Sequence, residues 1–361
     1  MNRNVEPRRI LAVNLNYLGD ALFTTPALGA LRERYPAATL DVLAGARAGA
    51  VLSGDPAISR LLLRPPHGGL GRAEALLRAL RAGDYDAVVF FQSTLANALL
   101  AWAVRVPVRV GFVQEGCAAF LTHPVPARRP GEHAVSAYLR LAEALSARGE
   151  SRLRLHLGSE DRDFAEHFLR DQELPPPVVG LVIGATRPQK RWPEAYFARL
   201  AERLWSAAGV SCVLLGGAEE AEAAARILEA SRAPLVSAIG RTSEKQLAAL
   251  IDRLAVVVSG DSGPLHIATA VGTPVVGLFG STDPEETGPW QPGQAVVLYD
   301  RLPCAPCRKH PTCGGRFDCL HALTPERVFE ATVQLLGVSP RRTPLPVIAT
   351  APAAAPREAP L

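Results

Sequence analysis

Residues 255–282 read AVVVSGDSGPLHIATAVGTPVVGLFGST, and this stretch decides the fold class. Its first four residues are an apolar run that predicts a buried strand, and a turn of serine, glycine and aspartate follows. Pro264 then opens a helical segment, because proline is favoured in the first turn of a helix. A second apolar run at residues 274–279 predicts another strand. Strand, helix and strand in this order predict a parallel sheet with helices on both faces.

The same alternation continues on both sides of this stretch. Short apolar runs and helical patterns fill the first part of the chain, at residues 10–15, 40–44, 73–81, 87–91, 108–112 and 134–147. A second series begins with a strand at 178–183 and ends with a helix at 325–336. The pattern predicts an α/β protein of two doubly wound domains, at residues 1–160 and 178–337. Between them, 161–177 is predicted to be a linker ending in three prolines, and the Pro- and Ala-rich segment 338–361 a disordered tail.

Composition excludes several classes of protein. A chain of 361 residues with 48% hydrophobic and 20% charged residues is globular, and its length suits two domains. The net charge of +4, from 39 basic and 35 acidic residues, is too small to predict a nucleic-acid partner, although weak attraction to an anionic membrane surface stays open. The uncharged stretches 87–104 and 262–282 contain polar residues or Gly and Pro, and neither predicts a membrane span. With no secretory signal visible before the first strand, the sequence predicts a cytoplasmic protein.

In doubly wound sheets, ligands bind where strands end and helices begin, so the strand-to-helix turns are the candidate sites. The turn after the first strand reads NLNYLGD at residues 14–20. It holds a single glycine, Gly19, which argues against a dinucleotide-binding motif. Asp20 has two interpretations: a helix N-cap, or a general base that projects into the cleft and takes a proton from an acceptor hydroxyl.

The corresponding turn of the second domain reads GATRPQKRWP at residues 184–193. Thr186 and backbone N–H groups can donate hydrogen bonds to a diphosphate, and Lys190 supplies a compact positive charge. The chain has only three lysines, which makes Lys190 a stronger candidate than one cation among many. The alternative is a solvated basic loop before a helix.

The turn within residues 259–268, SGDSGPLHIA, is the most specific of the three. Ser262 and Gly263 expose N–H groups at a helix N-terminus, which is a ready phosphate site. Asp261 would repel phosphate, so it is predicted to accept hydrogen bonds from sugar hydroxyls or from Lys190. Alternatively, Asp261 or Ser262 is only the N-cap of the helix and His266 a packed helix residue. For His266 alone this alternative is favoured, whereas the whole group of residues favours a binding site.

An acidic group follows the strand at 213–215, in the sequence GGAEE at 216–220. A carboxylate at this point of a nucleotide-binding domain often binds ribose hydroxyls, which makes Glu219 and Glu220 candidates. Both side chains could equally be ordinary acidic residues in the first turn of a helix.

Four of the six cysteines are clustered near the end of the second domain. Cys304, Cys307, Cys313 and Cys319 have the spacing C-x2-C-x5-C-x5-C. Four thiolates this close can form a structural zinc site, but the spacing departs from paired zinc knuckles. Reduced thiols or a local disulfide are the alternatives.

Taken in order, these turns resemble glycosyltransferase family 9, the ADP-heptose:lipopolysaccharide heptosyltransferases, over residues 8–336. The resemblance rests on NYLGDALFTTPALGALRERYP, on GATRPQKRWPEAYFARLAERL and above all on VVSGDSGPLHIATAVGTPVVGLFGSTDPEETGP. The cysteine segment is also similar to the carboxyl-terminal segment of some members. Two positions depart from the family pattern: Asn14 stands where many members carry a basic residue, and Ala185 where a hydroxyl is common.

The resemblance implies a GT-B fold, in which two Rossmann-like domains face each other across a cleft, and inverting transfer without a catalytic metal or cofactor. By position it makes Asp20 the general base. It assigns donor diphosphate and sugar contacts to Thr186, Lys190, Asp261, Ser262, Gly263 and His266, and the donor ribose to Glu220, with Glu222 as the alternative. The implied donor is a nucleotide sugar, ADP-heptose above others. The implied acceptor is a lipid-linked saccharide of lipopolysaccharide-core type, with peripheral contact at the cytoplasmic face of the inner membrane.

Two other functions remain at this stage. A nucleotide-sugar epimerase or hydrolase would keep the fold and release products without an acceptor sugar. A non-catalytic nucleotide-sugar-binding protein would bind a donor without turnover, which the presence of Asp20 beside Lys190 and Asp261 argues against. The acceptor half is less informative, with Asn14, His133 and several arginines as unranked candidates.

Overall fold

The computed structural model describes residues 6–14, 17–64, 70–114, 116–290 and 294–338. The first part of the chain forms β1 (Arg9–Asn14), α1 (Leu18–Arg34), β2 (Thr39–Ala44), α2 (Ala46–Leu52), β3 (Arg60–Leu63), α3 (Leu70–Gly83), β4 (Ala87–Phe90), α4 (Leu95–Ala103), β5 (Val108–Phe112), β6 (His123–Val125) and α5 (Ala134–Glu143). Helix α6 (Ser159–Asp171) follows. The second part forms β7 (Val178–Val182), α7 (Glu194–Ala208), β8 (Ser211–Leu215), α8 (Ala221–Ala230), β9 (Leu235–Ser237), α9 (Glu244–Asp252), β10 (Val256–Gly260), α10 (Gly263–Val271), β11 (Val275–Phe279), α11 (Pro284–Thr287), β12 (Ala295–Tyr299), α12 (Asp318–His321) and α13 (Pro325–Leu336).

The strands form two parallel sheets of six strands each. Their orders are β3-β2-β1-β4-β5-β6 and β12-β11-β10-β7-β8-β9. Counted from the first strand of each sheet, both orders are 3-2-1-4-5-6, the doubly wound arrangement. In each sheet the strand order therefore reverses between two central strands, β1 and β4 in the first and β7 and β10 in the second. The predicted pair of Rossmann-like sheets is confirmed.

The opening stretch of sequence folds as its pattern predicts. Residues 255–282 contain β10, α10 and β11, and the two strands pair in parallel, with Val257 opposite Val275. Every residue of both strands is buried. Strands covered by helices on both faces have no solvent-facing side, which explains the continuous apolar runs.

Helix α1 corrects a local prediction. Proline inside a helix removes one backbone donor, so the sequence predicts that Pro26 kinks the helix or restarts it, with Thr25 as the cap. Instead α1 is a single helix with Pro26 inside it. The hydroxyl of Thr25 donates to the carbonyl of Leu22, the group that the N–H of residue 26 would otherwise reach (2.7 Å). A side-chain donor thus replaces the missing backbone donor.

Most of the predicted linker is helical, because α6 occupies residues 159–171. Ala165 and Phe168 are buried on it, and the helix packs against α9 of the second domain. The Arg162 guanidinium lies 3.5 Å from the Asp252 carboxylate across this contact. The connection between the domains is therefore a packed element.

Two further observations concern the predicted tail and whether a helix could cross a membrane. Apart from Val338, the predicted tail at 338–361 lies outside the described residues. In the described part of the chain, no helix combines the length and the apolar character needed to cross a membrane.

Candidate functional site

A cleft of about 920 Å³ lies between the two domains, lined by residues of both. It contains the turns that follow β1 and β7 and the turn between β10 and α10, at the positions where the strand order of each sheet reverses. Helix α1 packs against α10 across it. The volume is at the upper end of the range for small-molecule sites and suits a ligand of nucleotide-sugar size. The fold therefore collects the predicted sites in one place.

Asp20 lies in the first turn of α1 and lines this cleft. The residue at the N-cap position is Tyr17, so the N-cap interpretation of Asp20 is wrong. Burial raises the pKa of Asp20, an effect that the charge of Asp261 adds to and that interactions with His266, Arg128 and Lys190 oppose. A carboxylate with a raised pKa is a stronger base than an exposed one, which suits proton abstraction.

Asp261 and Lys190 form a close ion pair on the other side of the cleft. The Lys190 ammonium donates to Oδ2 of Asp261 at 2.6 Å, and His266 Nε2 lies 3.5 Å from Oδ1. Burial alone would raise the pKa of Asp261, but the hydrogen bond with His266 and the charge of Lys190 outweigh it and hold the pKa well below its usual range. Asp261 therefore remains ionised, and a carboxylate oxygen holds Lys190 in position.

Gly260 allows this pair to form. Lys190 ends a short 3-10 turn at Pro188–Lys190 that packs against the end of β10. A Cβ at residue 260 would lie 2.6 Å from the Lys190 carbonyl oxygen, closer than real contacts allow. A side chain there would push the lysine away from Asp261, which lies 71 positions along the chain.

The N-terminus of α10 faces the same cleft. Ser262 is its N-cap, and its hydroxyl lies 3.1 Å from that of Ser259 without capping the helix. Because the Ser262 side chain does not cap the helix, the first backbone N–H groups are available to a ligand. Pro264 has no backbone N–H and therefore needs no partner. With Lys190 beside them, these N–H groups form a site for an anion.

The two domains pack closely beside this helix end. A Cβ at Gly19 would lie 2.5 Å from the His266 ring, and one at Gly263 would lie 2.9 Å from the Leu18 side chain. The His266 ring also packs on Phe23 of α1, with 4.5 Å between ring centroids. His266 therefore contacts Asp261 in the site and also packs between the domains. Both interpretations of this residue apply: it belongs to the site and it is a packed helix residue.

Thr186, in the turn after β7, and Glu220, after β8, both line the cleft. Thr186 is exposed to it, and Ala185 is buried. One carboxylate oxygen of Glu220 accepts from the N–H of Gly217 at 2.8 Å, and the side chain packs against Gly184. Burial and the nearby Glu219 raise the pKa of Glu220.

Glu222 does not lie in the cleft. Its side chain is 94% exposed and is 3.9 Å from Arg226 of the same helix. Glu220, by contrast, is only 7% exposed and borders the cleft. The two residues are on different sides of the helix start, and the structure therefore favours Glu220 as the carboxylate that a bound nucleotide would meet.

The acceptor candidates Asn14 and His133 do not line the cleft. Asn14 is buried, and its amide donates to the Thr24 hydroxyl at 3.0 Å. The His133 ring stacks on Trp290 and contacts the Gly288 carbonyl, and burial lowers its pKa to about 4, so the ring is neutral at pH 7. Both residues serve packing within or between domains.

Sequence reasoning missed Arg128, which contributes to the site from the first domain. Its guanidinium donates to the Glu286 carbonyl at 2.7 Å, across the domain boundary, and its charge lowers the pKa of Asp20. The adjacent arginines of the PARRPG segment at 126–131 were the available signal, although no motif marks them. Other residues of the first domain that line the cleft are Phe23, Arg47 and Arg64.

The clustered cysteines do not line the cleft, although Arg308 and Lys309 of the same segment do. Cys304, Cys307, Cys313 and Cys319 are all free thiols. Burial raises the pKa of Cys319, as do the neighbouring Cys304 and Cys307. Within the residues that the structure describes, no three or more His, Cys, Asp or Glu side chains are arranged to hold a metal ion. A structural zinc site at this cluster stays a prediction.

Comparisons with known proteins agree with this geometry. The sequence profile described as glycosyltransferase family 9 (heptosyltransferase) matches residues 73–316. Lipopolysaccharide heptosyltransferase 2 of Salmonella typhimurium is 28% identical over 352 aligned residues, covering 91% of this chain and 99% of that protein.

Two solved structures share the whole architecture. A glycosyl transferase of family 9 from Veillonella parvula has a TM-score of 0.81 at 27% identity, covering 92% of this chain and 98% of that one. The ADP-heptose lipopolysaccharide heptosyltransferase II of E. coli has a TM-score of 0.74 at 26% identity, with 91% and 98% covered. The match extends over both domains and confirms the predicted GT-B fold.

Proposed function

The chain belongs to glycosyltransferase family 9, and we propose that it transfers heptose, with inversion, from ADP-heptose to an acceptor of lipopolysaccharide-core type. The observation that carries this proposal is the position of Asp20. It lies on the first domain, close enough to Lys190 and Asp261 of the second for their charges to affect its pKa. A base therefore faces an anion site across one cleft, as direct displacement at a sugar carbon requires.

In the proposed reaction, Asp20 accepts the proton of an acceptor hydroxyl. The resulting oxygen nucleophile attacks the anomeric carbon of the donor while the bond from that carbon to the diphosphate oxygen breaks. The electron pair of that bond leaves with ADP, and the new bond forms on the opposite face of the sugar. One displacement of this kind inverts the anomeric centre.

The charge that develops on the diphosphate is met by the second domain. Lys190 and the N–H groups of Ser262 and Gly263 are held in place before the reaction, so they stabilise the leaving group without reorganisation. Thr186 donates a further hydrogen bond from the β7 turn. We propose that these groups make a catalytic metal or other cofactor unnecessary, since they already supply the positive potential that the leaving group needs.

Asp261 has a different role because its charge would repel the diphosphate. Its Oδ2 holds the Lys190 ammonium, and its Oδ1 faces His266. A hydroxyl of the donor sugar can share these oxygens as acceptors. Asp261 thus positions Lys190 and sets the orientation of the sugar above the anion site.

The proposed acceptor is lipid-linked, which defines the partners of the enzyme as a nucleotide sugar and a saccharide at a membrane surface. Since the described residues include no helix that could cross a membrane, the chain would meet that saccharide by peripheral contact on the cytoplasmic face. An epimerase or hydrolase would need no saccharide acceptor at a membrane. The family relatives that match most of the chain favour transfer over this alternative.

A donor screen tests the proposed function. ADP-heptose at a concentration 100 times its dissociation constant is expected to stabilise the protein by about 2.7 kcal/mol, which raises the melting temperature by a few degrees. UDP- and GDP-sugars at the same concentration should have little effect. Transfer is then measured with ADP-heptose and a heptose-deficient lipopolysaccharide core. Stabilisation by a UDP- or GDP-sugar alone contradicts the donor assignment, and donor breakdown that is indifferent to the acceptor favours a hydrolase.

A second prediction concerns the ribose. Replacing Glu220 with glutamine keeps an oxygen that can accept from Gly217 but removes the charge, and we expect ADP to bind about tenfold more weakly. Glu222→Gln is the matched control, because that side chain is exposed and outside the cleft. Both affinities can be measured by titration calorimetry. If the two variants bind ADP as the wild type does, Glu220 has no part in nucleotide binding.

A further inference from the structure

The outward side of α4 is apolar. Leu95, Leu99 and Trp102 recur at helical spacing and are 43%, 40% and 52% exposed, whereas Ala98 and Ala101 on the inward side are fully buried. A surface helix ordinarily presents polar residues to water, and this one presents leucine and tryptophan. Nothing in the fold of the first domain requires apolar side chains at these three positions.

The apolar surface continues past the helix. Val113, just after β5, is 41% exposed, and the Phe120 ring packs edge-on against Trp102 with 5.6 Å between centroids. We call the set Leu95, Leu99, Trp102, Val113 and Phe120 the α4 face. Of the eight large apolar side chains classed as exposed in the described residues, four belong to it. A cluster of this kind marks an interaction site rather than ordinary scatter.

The charge around the α4 face is positive. Residues 87–114 contain two arginines, Arg105 and Arg109, and no acidic residue, and the Arg109 guanidinium donates to the Phe120 carbonyl at 2.6 Å. Arg105 is exposed at the end of α4 and has φ of 61°, a left-handed conformation in which glycine is usual. The surplus extends to the domain, since residues 1–160 contain 19 arginines and 13 carboxylates, while the rest of the chain has more acidic than basic residues.

One end of the α4 face lies at the same edge of the first sheet as the cleft. Leu95 follows β4 and Val113 follows β5, so both lie at the carboxyl edge, which also carries the turn from β1 to α1 with Asp20. Trp102, at the end of α4, and Phe120, just before β6, lie toward the opposite edge. A surface that docks on the α4 face would therefore extend along the side of the first domain from the edge that carries Asp20.

From these observations we propose that the α4 face binds the surface of an anionic phospholipid bilayer. Tryptophan and leucine enter the boundary between headgroups and acyl chains, and the arginines meet the lipid phosphates. A second copy of the chain is a poorer occupant, because two positively charged faces would repel each other. The inference rests on the proposed function in one respect, that the membrane carries the acceptor.

Vesicle binding in the absence of donor tests the assignment. The protein is sedimented with vesicles of phosphatidylcholine and phosphatidylglycerol, and in parallel with phosphatidylcholine alone. We expect the doubly substituted Leu99→Ser/Trp102→Ser chain to bind the anionic vesicles at least tenfold more weakly than the wild type, because two apolar side chains that would enter the bilayer are lost. Trp205→Ser is the matched control, since Trp205 is an exposed tryptophan of the second domain (38%) and its loss should change little.

Charge is tested separately. Arg105→Gln should weaken binding to the anionic vesicles and leave binding to phosphatidylcholine unchanged, and added salt should act in the same direction. Melting temperatures establish that each variant folds, and if the double variant is unstable, Arg105→Gln carries the test. The α4 face is overturned as a membrane site if both variants bind vesicles like the wild type. It is also overturned if the wild type self-associates without lipid and the double variant does not.

An activity measurement separates this inference from the proposed function. With a delipidated core saccharide, the double variant should transfer at the wild-type rate. With the acceptor embedded in anionic vesicles, it should be slower. If the wild type transfers to neither acceptor, the proposed function fails, and vesicle binding still decides whether the α4 face contacts a membrane.

Discussion

Replacing Asp20 with asparagine is expected to lower the rate of transfer by about 10²–10⁴-fold, the contribution of a positioned general base. Asparagine keeps the size of the side chain but cannot accept the acceptor proton. Donor binding should persist, because Lys190 and the N-terminus of α10 are unchanged. Two quantities are measured for each protein: the turnover rate with ADP-heptose as donor, and the affinity for ADP. Asp171→Asn, which removes an exposed carboxylate at the end of α6, serves as the control.

The pH dependence gives a second readout of the same residue. Asp20 acts as a base only when ionised, and burial raises its pKa. Transfer at low donor and acceptor concentration should therefore fall as the pH drops through this raised pKa, at a higher pH than an exposed aspartate would give. The residual activity of Asp20→Asn should not show this fall at low pH, the acid limb of the profile. An asparagine variant that works at the native rate, or keeps the acid limb, shows that another group takes the proton.

The general position of Asp20 could be predicted because it depends on topology. Parallel sheets of this kind bind ligands where the strand order reverses, and the turns after β1, β7 and β10 are at those points. The sequence therefore predicted that Asp20, Lys190 and Asp261 share a cleft. It also offered a contact between Lys190 and Asp261, which the structure places at 2.6 Å. The roles of these residues in transfer remain predictions.

Other features depend on tertiary contacts that no local pattern contains. The choice between Glu220 and Glu222 depends on which side of the helix start faces β7, and the sequence left it open. Arg128 reaches the site only because its segment meets Glu286 of the other domain. Asn14 was weighed as an acceptor contact, but its direction toward Thr24 is set by the packing of α1 on β1.

Helix α6 could have been predicted, since its sequence SEDRDFAEHFLRD places Phe164, Ala165, Phe168 and Leu169 on one face at helical spacing. The three prolines that follow indicated a linker and obscured that pattern. At Pro26 the rule that proline removes a backbone donor holds. The helix nevertheless continues, because the Thr25 hydroxyl supplies the missing donor. Local rules thus fail where a neighbouring side chain compensates.

Replacing Lys190 with methionine is expected to affect both transfer and stability. Removing a preorganised donor to the leaving group should lower turnover by about 10²–10³-fold and raise the KM for the donor. The same change leaves the Asp261 carboxylate buried without its ammonium partner. We expect the free energy of unfolding to fall by about 2–3 kcal/mol, less than for a fully buried pair because the ammonium is partly exposed. Arg199→Met, which removes an exposed cation from α7, controls for net charge.

The stability loss should depend on pH in a defined direction. In the wild type the pKa of Asp261 is depressed, so its ionised form stabilises the fold above the pKa of the unfolded chain, and this contribution is lost as the pH falls toward the folded pKa. Without Lys190 the folded pKa rises, and less stabilisation is present at neutral pH. The difference in unfolding free energy between wild type and Lys190→Met should therefore be largest near pH 7 and shrink in acid.

A double substitution separates the two effects. In Lys190→Met/Asp261→Asn the buried charge is gone, so most of the lost stability should return, because the penalty lies in the unpaired carboxylate rather than in the absent lysine. Transfer should stay low, since neither substitution restores a cation beside the diphosphate. Urea unfolding and steady-state kinetics on the four proteins of the cycle measure both quantities. If stability and transfer recover together, Lys190 acts only by neutralising the Asp261 carboxylate, and the charge of the leaving group must be met elsewhere.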